Sequence, residues 1–258
     1  MNKLFYLTII LIIFLFSCNS NTDKGEMKKV SNSVAQGQAG SITILAKDGL
    51  EITADYYPNS EANTLIILCH QADFSRGEYS KIAPRLVDSG FACLAIDQRS
   101  GKMANEVLNE TAMRAEAQGL STNYIDAKAD ILAAVDYIKA NTDKKIILWG
   151  SSYSASLALI IGAENVNVER IVAFSPGEYL DKQDRVSTAV SNLGKPIFLT
   201  GGSEEYDMIV KPLESALPKG NVIAIKQGVS SDHGSKTLWN ETKNAQNIWA
   251  EVVSFLRS

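Results

Sequence analysis

The chain holds only two histidines in 258 residues, and a serine with unusual surroundings stands out beside them. From Lys145 the sequence reads Lys-Ile-Ile-Leu-Trp-Gly150-Ser151-Ser152-Tyr153-Ser154-Ala155-Ser156. An apolar strand pattern runs into Gly-x-Ser-x-Ser and then into a helical pattern. A tight strand-to-helix turn would present the Ser152 hydroxyl at the end of the strand. It would also offer backbone N–H groups of the helix N-terminus to a developing negative charge. Such a turn needs small neighbours, because strand and helix approach closely; Gly150, Ser154 and Ala155 meet that need. Ser151 and Ser154 are read as caps of the helix.

A serine hydroxyl is a weak nucleophile without a base. His233 lies in Ser231-Asp232-His233-Gly234-Ser235, after the last strand pattern and before the final helical one. His70 follows a strand directly, in Leu68-Cys69-His70-Gln71-Ala72. An acid would complete the set by orienting the imidazole and stabilising its protonated form, a task that Glu or Asp can perform. Three carboxylates, Glu204, Glu205 and Asp207, crowd the segment Gly201 to Asp207. Two of them are read as solvated charges suited to a helix start.

The elements that must position these residues form an alternating series. Ile42 to Leu45 and Leu50 to Tyr57 flank Asp48-Gly49, a hairpin signal. Nearly continuous apolar runs follow at Leu65 to Cys69, Phe91 to Ile96, Lys145 to Trp149, Arg170 to Phe174, Pro196 to Thr200 and Val222 to Ile225. They suit parallel strands buried on both faces. Helical patterns lie between and after them, at Tyr79 to Asp88, Ile125 to Ala140, Ser154 to Gly162, Ile209 to Ala216 and Thr242 to Leu256. The expectation is one α/β sheet with an N-terminal antiparallel hairpin and helices on both faces. Lys102 to Tyr124 reads as an irregular insert that forms one wall of the pocket or packs locally. Asp97 and Arg99, just past a strand, could be catalytic but more often such residues fix loop geometry, and Trp149 reads as packing.

The composition, 45% hydrophobic and 21% charged, is that of a globular chain. A net charge of −4 gives no electrostatic case for nucleic acid. Three cysteines are too few for a disulfide scaffold; Cys69 and Cys93 are read as buried thiols, with a bridge between them the lesser alternative. No metal-ligand cluster or dinucleotide motif is visible, so neither a metal nor an organic cofactor is expected. Residues 1–17 read as a signal peptide: Lys3 precedes an apolar run from Leu4 to Phe16, too short to span a bilayer. The run ends in Leu15-Phe16-Ser17-Cys18, which resembles a bacterial lipobox and implies lipidation of Cys18. Residues 18–40 then form a flexible tether, and 41–258 the folded domain, held at a membrane of the cell envelope without spanning it.

The order of these features resembles the α/β-hydrolase superfamily, with its monoacylglycerol-lipase-like and serine-aminopeptidase-like members. His70-Gln71-Ala72 resembles the His-Gly-x oxyanion segment, with Gln71 in place of glycine. Ser75-Arg76-Gly77-Glu78-Tyr79 resembles the segment after it. Asp97-Gln98-Arg99-Ser100-Gly101 resembles the Asp-x-Arg-Gly-x-Gly loop, Asp126 and Asp130 open the helix before the serine turn, and His233-Gly234 matches the terminal His-Gly. The resemblance implies a triad of Ser152, His233 and an acid. The favoured acid is Glu205, three residues after Gly202; Asp207 and Glu204 are the alternatives. It also implies an oxyanion hole built from the N–H groups of Tyr153 and Ala72. With about twenty residues between two late strands, little or no cap is expected. The activity implied is ester hydrolysis of a small acyl substrate through an acyl-enzyme. A peptidase or amidase, or a lipoprotein that binds without cleaving, are the other readings.

Overall fold

The computed structural model describes residues 37–228, 231–242 and 244–258. The segment 1–17, Cys18 and the tether as far as residue 36 lie outside the described residues. Regular structure begins with β1 (Gly40–Leu45) and β2 (Glu51–Tyr57), an antiparallel hairpin turned at Asp48-Gly49, where Gly49 takes φ 87°. The alternating series follows: β3 (Thr64–Cys69), α1 (Ile82–Asp88), β4 (Ala92–Ile96), the small hairpin β5 (Met103–Ala104) and β6 (Val107–Leu108), α2 (Glu110–Ala117), α3 (Lys128–Asn141), β7 (Lys145–Ser151), α4 (Tyr153–Glu164) and β8 (Val168–Phe174). Then come α5 (Arg185–Val190), β9 (Ile197–Gly201), α6 (Ser203–Glu205), α7 (Lys211–Ala216), β10 (Val222–Lys226) and α8 (Ala245–Arg257). The main sheet has eight strands in the order β1-β2-β4-β3-β7-β8-β9-β10. From β4 to β10 all neighbours are parallel, while β2 joins β4 antiparallel.

The period-2 alternation of the strands divides the core in two. Leu65, Ile67, Leu148, Ile171 and Leu199 face the layer containing α3, α4, α5 and α7. Ile66, Leu68, Trp149, Val172, Phe174 and Phe198 face α1 and α8, meeting Ile82, Leu86, Val252 and Phe255. Burying each such side chain contributes roughly 1.5–3 kcal/mol, so both faces are strongly driven. The same alternation places Cys69 in one layer and Cys93 in the other. Both are free buried thiols, and the sheet itself stands between them.

One detail differs from expectation. The insert 102–124 is largely ordered: Met103 and Leu108 pair across a tight hairpin, with Asn105 and Glu106 at positive φ. Asn109 then caps α2 by accepting from Ala112 N–H at 2.8 Å. Asp97 and Arg99 fix loop geometry, each through its own partners. Asp97 binds Arg76, and Arg99 binds Asp130 and Asp48. Between β8 and β9 the chain forms only α5 and loops, so no large cap covers the strand ends.

Candidate active site

Ser152 is one of seven non-glycine residues at positive φ among the described residues. Ser152 has φ 59° and ψ −124°, a region that costs a non-glycine residue about 1–3 kcal/mol and persists only when its surroundings impose it. Its N–H donates to Phe174 O at 2.8 Å, and its carbonyl accepts from Ala155 N–H at 2.9 Å. A Cβ on Gly150 would lie 2.3 Å from Ser154 O and 2.5 Å from Ala155 Cα, so this position admits only glycine. Neither neighbouring serine caps α4 as expected. Ser154 donates its hydroxyl to the His70 carbonyl and accepts from Gln98 Nε2 at 2.8 Å. Ser151 donates to Glu78 Oε1 at 2.8 Å and accepts from Ser235 N–H at 2.8 Å. Both hydroxyls are drawn away from the helix by buried partners that sequence spacing does not reveal. The Ser152 hydroxyl also makes no capping bond.

His233 and Glu205 meet at the same edge of the sheet. His233 Nδ1 donates to Glu205 Oε2 at 2.5 Å, so that in the neutral ring Nε2 is the nitrogen able to accept a proton. Glu205 Oε1 accepts from Ser175 Oγ and from Gly202 N–H, the latter at 3.0 Å. Burial pushes the Glu205 carboxyl up. The hydrogen bonds from His233 and Ser175, the His233 charge and the Gly202 N–H outweigh it, so the net shift is downward. Asp207 is exposed and paired to Lys226 Nζ at 2.5 Å. Glu204 is exposed on the rim beside His233. The ring of Tyr179 stands edge-on to His233, centroids 6.5 Å apart. No hydrogen bond joins Ser152 Oγ to His233 among the described residues. The segments that carry them are nonetheless closely packed: Gly234 takes φ 67°, and a Cβ there would lie 2.3 Å from Ser151 Oγ.

His70 is fully buried and its pKa falls to about 4: burial lowers it, and the bond to Gln71 O offsets only part. Its Nδ1–H donates to Gln71 O at 2.8 Å and Nε2 accepts from Gln98 N–H at 3.1 Å, so a neutral ring shapes the loop after β3. In that loop Ala72 N–H has no backbone acceptor among the described residues. Tyr153 N–H opens α4 and is one of its unsatisfied N-terminal donors. The Tyr153 side chain is committed elsewhere: its hydroxyl donates to Ser100 O at 2.9 Å and its ring stacks on Tyr124 at 4.4 Å. A recess of about 350 Å³ lies between Asn123, Tyr124 and Ile125 on one side and Tyr179, Leu180 and Asp181 on the other. A second, of about 430 Å³, lies along Gly202 to Glu205, Ser231 and His233. No group of His, Cys, Asp or Glu suited to a metal ion occurs among the described residues.

Sequence reasoning missed Glu78. It looks like an ordinary helix-start charge, yet it is fully buried beneath the Ser152 turn. The one signal in the sequence is its place in Ser75-Arg76-Gly77-Glu78-Tyr79, the segment singled out by resemblance without a role for Glu78.

The family model described as "Serine aminopeptidase, S33" matches residues 60–215. The chain belongs to this family. It is a hydrolase of the α/β-hydrolase fold. Among solved structures it is similar to an esterase of Pyrococcus furiosus, at 19% identity over 88% of this chain and 93% of that one, TM-score 0.63. It is likewise similar to a dienelactone hydrolase of Anabaena variabilis, at 16% identity over 85% and 97%, TM-score 0.64. A third is a cold-adapted esterase from an Arctic intertidal metagenomic library, at 16% identity over 85% and 92%, TM-score 0.62. At these identities the likeness is one of fold. No curated protein sequence matches the chain.

Proposed function

We propose that this S33-family hydrolase is a serine hydrolase that cleaves a small ester through an acyl-enzyme. Ser152 is the nucleophile, His233 the base and Glu205 the acid that orients it. The observation that carries the reading is the strained Ser152 turn beside a histidine whose Nδ1–H is held by a carboxylate. His233 Nε2 takes the Ser152 proton as the Oγ–carbonyl carbon bond forms. Tyr153 and Ala72 N–H groups then stabilise the oxyanion, each worth roughly 3–4 kcal/mol where such donors have been removed. Collapse of the tetrahedral adduct breaks the bond to the leaving oxygen, which receives the proton from His233. Water, activated by the same imidazole, releases the acid. The esterase neighbours support an ester as substrate, and the shallow, uncapped recesses suit a small acyl group.

Two further points belong to the same proposal. Cys18 carries lipid after cleavage of residues 1–17, and the segment up to 40 tethers the domain to a membrane of the cell envelope. Among the described residues no helix is long and apolar enough to cross a membrane. Fluorophosphonate labelling of the full chain, with the adduct mapped by mass spectrometry, tests the chemistry. Adduct on Ser152 that disappears in His233→Ala supports it, and no adduct on folded protein refutes it. Parallel assays with p-nitrophenyl acetate and an aminoacyl p-nitroanilide decide between ester and amide turnover, since the family description names an aminopeptidase.

A further inference from the structure

Glu78 lies fully buried where three loops converge. Its Oε2 accepts from Gln71 N–H at 2.8 Å, one peptide before the Ala72 N–H assigned to the oxyanion. Its Oε1 accepts from the hydroxyl of Ser151, the residue before Ser152. Lys236 N–H, three residues past His233, also stabilises its charge. Ser151 passes the connection on by accepting from Ser235 N–H. The Glu78 carbonyl accepts from Trp239 Nε1 at 3.0 Å, which fixes the carboxyl's own backbone against the same loop.

We propose that Glu78 is a positioning residue for the reaction at Ser152, acting as a carboxylate that holds the loops of Ala72, Ser152 and His233 in one register. The inference rests on the serine-hydrolase reading above. A carboxylate presents acceptors only, and every partner here is a donor. A protonated carboxyl turns one oxygen into a donor, which leaves an N–H or the Ser151 hydroxyl facing another proton. A buried donor without an acceptor forces the loops to shift, and a displacement of about 1 Å at reacting groups costs up to 10²-fold in rate. Burial raises the Glu78 pKa to about 7, with the hydrogen bonds and His233 lowering it only in part, so its ionisation falls near neutral pH. The other groups facing it stay silent there. Burial pushes Tyr79 and Cys69 far up, so both remain neutral, and the Lys236 ammonium turns to Asp232. His233, the proposed base, is the other neighbour whose charge acts on it.

The test is the pH dependence of kcat/KM for p-nitrophenyl acetate with the full chain, alongside the rate of fluorophosphonate labelling. Activity that needs both neutral His233 and ionised Glu78 rises at low pH with a logarithmic slope approaching two. Glu78→Gln reduces that slope to one and lowers kcat at least tenfold, with KM changed less than twofold. Ser151→Ala, which breaks the joint but spares the carboxylate, lowers kcat and keeps the slope of two; it and the wild-type slope decide the matter if Glu78→Gln does not fold. A wild-type slope of one, with undiminished kcat in either variant, overturns the proposal for Glu78 while labelling of Ser152 leaves the hydrolase reading intact. Absence of labelling in the wild type overturns the hydrolase reading itself.

Discussion

Ser152 shows how a single residue can hold a strained conformation that its own chemistry disfavours. Its positive φ is imposed from both sides, by the bond of its N–H to Phe174 and by the closure of α4 over Gly150. Glycine at 150 is therefore the local condition for the turn. Gly150→Ala places a methyl within 2.3–2.5 Å of the backbone at Ser154 and Ala155, which cannot swing aside as a side chain would. Overpacking of this kind costs about 1–3 kcal/mol, and the displaced turn also loses activity. Urea denaturation and ester turnover on the same preparation check both; unchanged stability would mean that the turn is looser than drawn. Glu205 is a second case. Its carboxylate fixes the His233 tautomer, with Nδ1 protonated and Nε2 free. Glu205→Gln replaces the charge with an amide that no longer enforces that tautomer or stabilises the imidazolium. The expected loss is roughly 10³-fold or more in kcat with little change in KM. Asp207→Asn, which removes a solvent-facing partner of Lys226, is expected to leave kcat within about twofold.

Elements place these residues through buried ion pairs that tie loops to helices. Arg99, past the end of β4, binds Asp130 of α3 with its NH2 group at 2.7 Å and its backbone N–H at 2.7 Å, and reaches Asp48 in the first hairpin. Asp130 is fully buried. Arg99→Met strands that carboxylate and is expected to cost about 3–5 kcal/mol, as for other buried pairs that lose one partner; a thermal shift against Asp48→Asn, an exposed partner, separates the two bonds. The strands and long helices were legible in the sequence because apolar runs and 3.6-residue periods report burial directly. The limits of that signal explain what was not. α2 buries only Thr111, Ala112 and Ala115, which leave no large apolar stripe to read. Asp97 and Arg99 sit two apart in sequence, but each binds a residue from another element, a pairing that only the folded topology creates. Ser151 and Ser154 have the composition of caps, yet Glu78 and the His70 carbonyl compete successfully for their hydroxyls. Ser152 and His233 could be singled out because each follows a strand pattern, and the acid could be narrowed to Glu204, Glu205 and Asp207, whereas Glu78 lies in a short helical turn with no period of its own.

At the scale of the whole molecule, the parallel sheet gathers the loops after β3, β7, β9 and β10 at one edge, where ligands of open α/β sheets bind. That gathering buries Glu78, and the position that would serve the reaction works against the fold. A carboxyl whose folded pKa is about 7 rather than 4.5 binds its proton more tightly in the native state than in the unfolded chain. Its contribution to stability is therefore fully present below about pH 4.5 and is lost as pH rises through about 7. Asp97, raised to about 6, acts with the same sign. His70, lowered to about 4, acts oppositely: its neutral buried ring is protonated in the unfolded chain first, so stability falls as pH drops below about 6.5. The wild-type curve sums these opposing slopes and isolates none of them. Comparison with Glu78→Gln cancels Asp97 and His70, which both proteins share. The glutamine cannot ionise, so its stability relative to wild type must climb with pH. The shift corresponds to roughly 3 kcal/mol between pH 4.5 and 8. Urea denaturation of both proteins at pH 5, 6, 7 and 8 measures it. A difference that stays constant across this range means that Glu78 ionises in the fold as easily as in water, and the opposition between stability and function at this carboxyl does not exist.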